Sequence, residues 1–558
     1  MKSLQRADYV VFLVYFIIVA TYGYMVYRRK KKASTTASHD YFLAEGSLTW
    51  WAIGASLIAS NISAEQFIGM SGSGFKMGLA ISTYEWMAAA TLMIVAIFFI
   101  PVYLKNKIYT MPQFLHQRYN GTVAMIMAVF WLLLYVVVNL TSILYLGALA
   151  INSISGINIY VCMYALGIFA IIITLGGMKV IGYTDVIQVF FLILGGLVTT
   201  YLALNLVSEK YGGTGTLSGF TLLMAHADDH FHMIFKKDNS NYLDLPGLTV
   251  LVGGMWIVNL NYWGCNQYIT QRALGADLKT ARSGLLFAAF LKLLMPVIVV
   301  LPGIAAFVLN QKGYFSHGEL IDDAGNVMGD KAYPSLLNLL PAGLKGLSFA
   351  ALTAAIVASL AGKANSISTI FTLDIYQKKI NPLAEEKKLV WVGKVVVIIA
   401  MIIAILIAPH LGIEKGGFKY IQEYTGFVSP GIFAMFILGF FWKKTTSNAA
   451  LFATVGGFIF SIVFKFLPKF MDLSFLSGTG FAAKTDAGIY EIPFIDRMGF
   501  VFILCVLGMY IISTIENIKG VKTKGLEIDR GMFKLSPSFT VGVLIVCGIL
   551  TALYTVFW

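Results

Sequence analysis

The chain has 558 residues, of which 58% are hydrophobic and only 12% charged. Soluble domains carry about a quarter charged residues, so the composition excludes a soluble globular enzyme and points to a polytopic membrane protein. The formal charge of +13 is not a nucleic-acid footprint, because the basic residues sit in short clusters between apolar spans, as the positive-inside rule predicts.

Hydropathy gives about fourteen spans, each near the roughly 20 residues that a bilayer requires. They run over 9–27, 48–69, 78–103, 123–151, 159–176, 184–206 and 248–268 in the first half. The second half continues with 284–309, 344–376, 389–409, 418–442, 448–466, 498–518 and 539–558. The first run is too long for a cleaved signal peptide and lacks a small-residue cleavage site. The loop after the first span carries Arg28 to Lys32, and the loops after later odd-numbered spans are basic as well. They hold Lys105, Lys107 and Arg118; Lys179; Arg272, Lys279 and Arg282; Lys378 and Lys379; Lys443 and Lys444; and Lys519, Lys522 and Lys524. Odd loops are therefore read as cytoplasmic, with both termini facing outward.

Two longer outward loops, 208–246 and 311–341, are too small for catalytic domains. The first holds His226, His230 and His232 beside Asp228 and Asp229, a spacing that suits a metal but reads first as a solvated loop. Cys162, Cys265, Cys505 and Cys547 lie in or beside apolar spans without metal-ligand spacing, as small core residues do.

The stretch from Gly54 to Gly78, GASLIASNISAEQFIGMSGSGFKMG, starts as an apolar helix and is expected to break at Ser60-Asn61-Ile62-Ser63. It then presents Glu65 and Gln66 at membrane depth, where broken backbone and polar side chains are tolerated only around a cavity or ion site. Broken helices expose carbonyls to a cation and polar groups to a solute. The GSGFKMG run (Gly72 to Gly78) is read as a turn between spans, since a phosphate-binding glycine loop would need a βαβ unit.

Other spans carry further costly polar groups. Glu85 follows an apolar approach, Asn259, Asn261 and Tyr262 share one span, Lys292 lies in FAAFLKLLMP, and Gln422 and Glu423 lie in YIQEYTG. Each alone is compatible with an interhelical hydrogen bond; together, on separate spans, they read as the lining of a cavity. Amides, a carboxylate, an ammonium and an aromatic ring suit a neutral polyhydroxylated ligand. The 344–376 segment is rich in small residues that allow close helix approach. Ala355, Ala358, Ser359 and Gly362 share one of its faces and can build an oxygen-lined ion site against the break at Ala59–Ile62.

The runs ASLIASNISAEQFIGMSGSG, YTDVIQVFFLILGG, NYWGCNQYITQR, FAAFLKLLMPVIVVLPGIAA, NSISTIFTLDIY and YIQEYTGFVSPGI resemble the sodium/solute symporter family, in particular its sodium–glucose branch. The similarity covers nearly the whole chain and is weakest over 473–495. It implies an all-α fold of two five-helix inverted repeats, 48–208 and 246–442, separated by an extracytoplasmic loop at 209–245. A first span and basic loop (1–47) would precede them, and three further spans (443–558) would follow. It further implies sugar contacts at Gln66, Glu85, Asn259, Lys292 and Gln422. Tyr262 would be an inner gate, with Met70, Tyr84 and Phe418 as an outer lid. Sodium would be held by the carbonyls of Ala59, Ile62 and Ala355 and the hydroxyl of Ser359, with Asp185 on the ion's path.

Three positions depart from the family pattern. Ala358 stands where a second serine is usual, Ala88 where close relatives carry a serine, and Lys363 where an apolar residue is expected, one turn beyond Ser359. A lone ammonium there needs a partner, and Asp185 is the acid the family places nearby; snorkelling to the interface is the alternative. The expectation is a sugar importer of the cell (inner) membrane, coupled to sodium as transported ion and without a prosthetic group. No nucleic acid and no obligate protein partner are expected. The rival readings are a sodium-independent or proton-linked carrier in which Lys363 replaces the ion, a symporter of myo-inositol or an amino acid, and a solute-sensing receptor.

Overall fold

The computed structural model describes residues 4–30, 49–175, 178–315, 318–321, 325–410 and 417–558. Within these ranges some side chains lie outside the described set, among them those of Arg28, Lys179 and Asp185; so does the basic stretch on from Lys31.

In chain order, helix α1 (Arg6–Lys30) precedes α2 (Trp50–Asn61), a π-helical turn (Glu65–Met70), α3 (Ser71–Met77), α4 (Thr83–Ile94), α5 (Met111–Arg118) and α6 (Gly121–Leu133). Next come α7 (Thr141–Ser155), α8 (Ile159–Thr174), α9 (Met178–Lys210), α10 (Gly254–Gly264), α11 (Leu278–Gln311), α12 (Leu344–Thr369) and α13 (Glu386–Ile407). The last are α14 (Gly417–Gly426), α15 (Ser429–Phe441), α16 (Gly457–Phe466), α17 (Phe494–Ile518) and α18 (Pro537–Val556). A two-stranded hairpin pairs Ala483 with Glu491 and Lys484 with Tyr490.

Among the described residues, nine helices are long and apolar enough to cross a bilayer, and α14 with α15, bent by 52°, makes a tenth if the pair counts as one span. The all-α membrane class stands on this, whereas the number fourteen stays an expectation. Part of the difference is physical: several segments read as unbroken spans are interrupted. The 248–268 span stops at Gly253 and again after Gly264, and 418–442 bends between Gly426 and Ser429. The opposite occurs at 72–78. The turn expected there is helical through Met77, and the α-helical run ends on Gly78 at φ +70°. A side chain at Gly78 would also sit 2.2 Å from the His230 carbonyl, so both conformation and space require glycine.

The chain forms two compact units interleaved along the sequence: residues 1–82, 132–232 and 290–421, and residues 83–131, 233–289 and 422–558. The first is built around α12, which is buried along almost its whole length. Helices α1, α2, α7, α8, α9 and α13 pack against it. Small residues permit this: a Cβ added at Gly147 of α7 would come 2.6 Å from the Ile356 side chain. Asp8, only 1% exposed, accepts from the Gly343 and Gly346 amides at 2.8 and 2.9 Å, placing an anion at the start of α12. In the same unit, His230 is buried and stacked on Phe307 with centroids 4.0 Å apart. Its ring nitrogens lie 3.2 Å from the Phe75 carbonyl and 3.0 Å from Asp229. The candidate metal loop is thus packing against α3.

The second unit centres on an aromatic cluster, with Phe114 stacked on Phe436 at 4.5 Å and Phe99 and Tyr103 within about 5 Å of Phe440. Arg118, fully buried, donates to the carbonyls of Gly439, Trp442 and Thr445 at 2.7, 2.9 and 3.0 Å. These include the last carbonyls of α15, which have no partners within the helix.

Candidate functional site

The break in the first unit explains how carbonyl oxygens become available. The α2 ladder ends with the Ile62 amide donating to Ile58 O at 2.7 Å, and Ile62 turns extended at φ −78°, ψ 113°. The Ser63 amide, which a continuing helix would send to Ala59 O, donates instead to Oε1 of Gln66 at 3.0 Å. The Gln66 amide, which would reach Ile62 O, donates to Ser63 O at 3.2 Å. Two buried carbonyls, those of Ala59 and Ile62, are thereby released from the helix pattern.

The helix opposite is α12, against which α2 packs. Ser359 there is 1% exposed, and its Oγ is buried with no hydrogen-bond partner. Ala355 lies one turn before it. A hydroxyl buried without a partner and carbonyls without their usual donors are costly arrangements that a small hard cation relieves. The expected ligands Ala59, Ile62, Ala355 and Ser359 therefore fit sodium chemically.

Lys363 corrects an expectation. Its side chain is buried, with 4% of the residue exposed, so it does not snorkel to an interface. Its ammonium lies 3.6 Å from Oε1 of Glu65, in the first turn after the break; the side chain of Asp185, the acid expected beside it, lies outside the described residues. Lys292, also buried, donates to Oδ1 of Asn61 at the end of α2. Gln66 is held by Ser63, whose hydroxyl lies 3.4 Å from Oε1 in addition to the amide contact. Met70 is buried, and Phe418 lies against the adjoining Gly69, where a Cβ would meet its backbone nitrogen at 2.9 Å. The first unit thus holds Gln66, Lys292, Met70, Phe418 and the expected ion ligands, with Gln66, Lys292 and Phe418 set against the broken helix and the turn after it.

The remaining expected residues belong to the second unit. Glu85 is buried on α4 beside the buried Tyr84. Asn259 is turned onto its own helix, with Nδ2 donating to Met255 O at 3.1 Å. Asn261 crosses to α15, donating to Ser429 Oγ at 3.1 Å, while its Oδ1 is buried without a partner. The Tyr262 ring stands edge-on to Trp263 at 5.2 Å, and Gln422 is half-buried on α14. Next to Gln422, Glu423 receives Lys465 and Arg497, each at 2.6 Å. The sequence reading names neither the partners of Glu423 nor Glu65 beside Lys363, although single charges inside apolar spans signal that partners exist.

Helices broken at membrane depth, with released carbonyls and paired charges inside a bundle of apolar spans, are the construction of a secondary transporter. The chain belongs to the sodium:solute symporter family, whose profile matches residues 41–457. It is 46% identical over 568 positions to the sodium/glucose cotransporter of Vibrio parahaemolyticus, covering 100% of this chain and 99% of that one. To the sodium/myo-inositol cotransporter 2 of Homo sapiens it is 33% identical, over 83% of this chain and 70% of the relative. Among solved structures it resembles an outward-open, substrate-bound Na+-coupled sialic acid symporter, with a TM-score of 0.74 and 23% identity over 92% of this chain and 98% of that chain. A nucleobase-cation-symport family transporter in a closed conformation follows with a TM-score of 0.52 and 13% identity, over 85% and 95% of the two chains. At these identities the structural likeness establishes the fold, and family membership makes the protein a membrane transporter.

Proposed function

We propose that this protein imports a hexose, such as galactose or glucose, by symport with sodium through alternating access. The observation that carries the reading is the break at Ile62–Ser63. It releases the Ala59 and Ile62 carbonyls in the unit that also holds the unpartnered Ser359 hydroxyl. Sodium bound there ties α2 to α12 and steadies the segment that presents Gln66, whose Oε1 already holds the Ser63 amide. Ion binding thus favours the arrangement that receives the solute, which is a coupling free energy between two sites.

Gln66, Glu85, Asn259, Lys292 and Gln422 serve as the sugar's hydrogen-bonding groups, Tyr262 as the inner gate, and Met70, Tyr84 and Phe418 as the outer lid. Asp185 serves the ion's path, and 48–208 and 246–442 are the two inverted repeats. The protein works in the cell (inner) membrane with both termini outward. The full-length identity to a sodium/glucose cotransporter supports a hexose. The relation to a sodium/myo-inositol cotransporter favours the cyclic polyol as a second candidate, since its hydroxyls make the same demands.

The test is uptake of labelled galactose into proteoliposomes, with an inward sodium gradient or with potassium in its place. Sodium should drive accumulation, and unlabelled glucose should compete better than myo-inositol. Uptake indifferent to sodium would overturn the coupling, and myo-inositol as the stronger competitor would overturn the choice of solute.

A further inference from the structure

We propose that Glu423 is a positioning residue for the solute: its ion pairs to Lys465 and Arg497 hold the short helix α14, and with it Gln422, in the orientation that the sugar requires. This role rests on the proposed use of Gln422 as a sugar contact, and it gives two of the C-terminal spans a part in setting solute affinity.

Helix α14 has only ten residues and ends at a 52° bend. Pro430, in the first turn of α15, has no N–H to return to the Gly426 carbonyl four residues earlier, so the helical ladder does not carry the direction of α14 across the bend. Side chains do so instead. At the bend, Nδ2 of Asn261 donates to Ser429 Oγ at 3.1 Å, and that hydroxyl donates to the Thr425 carbonyl at 2.9 Å. Further along α14, Oε1 of Glu423 receives Nζ of Lys465 from α16 and Nη2 of Arg497 from α17, each at 2.6 Å. The side chains of Glu423 and Arg497 are only 16% and 9% exposed, so water and salt screen this pair little. Two charged donors from different helices meeting on one oxygen fix where that oxygen stands. With the bend stitched as well, both the tilt and the rotation of α14 are set. The fit beside α17 is close: a Cβ added at Gly426 would come 2.7 Å from Met498 Sδ. Buried ion pairs are weak sources of stability, and their best-attested use is to specify a register. Gln422, the preceding residue, stands about 100° round the helix axis from Glu423, so a rotation of α14 carries it away from its place by the same angle.

The experiment measures equilibrium binding of radiolabelled galactose, in saturating sodium, to the purified full-length protein. The variants are Gln422→Ala, Glu423→Gln and the two combined. Each single variant should weaken galactose binding by about five- to tenfold, the effect of one or two lost hydrogen bonds. The double variant should be no weaker than Gln422→Ala alone, because Glu423 acts through Gln422. Radioactive sodium, measured without sugar, should bind the parent and all three variants alike, since the proposed ion ligands belong to the other unit. Lys465→Met, which leaves Arg497 in place, should give a smaller shift in the same direction, and it carries the cycle if Glu423→Gln does not fold. Parent-like galactose affinity in Glu423→Gln, or losses that multiply in the double variant, would overturn the positioning role and leave the sugar site standing. Parent-like affinity in Gln422→Ala would remove Gln422 from the sugar site and the positioning role with it. A parent that binds sodium but no galactose would sink the hexose reading, and the same cycle on myo-inositol would then decide the role of Glu423 by the same outcomes.

Discussion

Tyr262 shows how far a single residue can be read. The expectation of a gate came from the family resemblance, and the structure adds that the ring is braced edge-on against Trp263 at 5.2 Å. A braced aromatic closes a path by its face and edge rather than by its hydroxyl. Tyr262→Phe should therefore keep initial uptake rates within about twofold of the parent, whereas Tyr262→Ala, which removes the ring, should lower them by about tenfold or more. Equal rates in the alanine variant would remove Tyr262 from the gate. Other residues were legible only as half of a relationship. That Lys363 and Glu423 needed partners follows from the cost of charge in an apolar span. Which partners they took, Glu65 for one and Lys465 with Arg497 for the other, depends on how separate helices approach.

At the scale of elements, the break after α2 was readable because Ser60, Asn61 and Ser63 interrupt an apolar run with groups that compete for backbone hydrogen bonds. The bend between α14 and α15 and the interruptions around α10 escape a reading by hydropathy alone, although Pro430 at the start of α15 and the glycines Gly253, Gly254 and Gly264 mark them. Tertiary contacts complete two of the helix ends. The Gly264 carbonyl that closes α10 accepts from the Tyr103 hydroxyl at 2.7 Å, and the carbonyls around the end of α15 are taken by Arg118. Arg118 is therefore a cap supplied from another helix. Arg118→Ala should lower stability by about 3 kcal/mol, since several buried carbonyls lose a charged donor together. Arg118→Lys should rescue little, because an ammonium does not reproduce the guanidinium's spread of donors. Thermal unfolding in detergent reads both; an alanine variant as stable as the parent would show that the cap is dispensable.

At the scale of the whole molecule, the basic loops after odd spans carry the expectation that both termini face outward. Protease-cleavable tags at the two ends should be cut when protease is added to intact cells of an expression host made permeable only at its outer membrane. Protection of either tag would reverse the assignment of sides. Sequence alone determined the membrane class, the helical fold and the family, because hydropathy, charge placement and long motif runs are properties of consecutive residues. It also determined where the first helix breaks, for the same local reason. Only the tertiary structure decided that the turn expected at 72–78 is helical up to Gly78, where His230 closes over the backbone. It alone decided that Lys363 is buried against Glu65, on the two elements that carry the proposed ion ligands. Such choices turn on which groups share a small volume of low dielectric, and residues 298 positions apart in the chain come to share it only after the helices have packed.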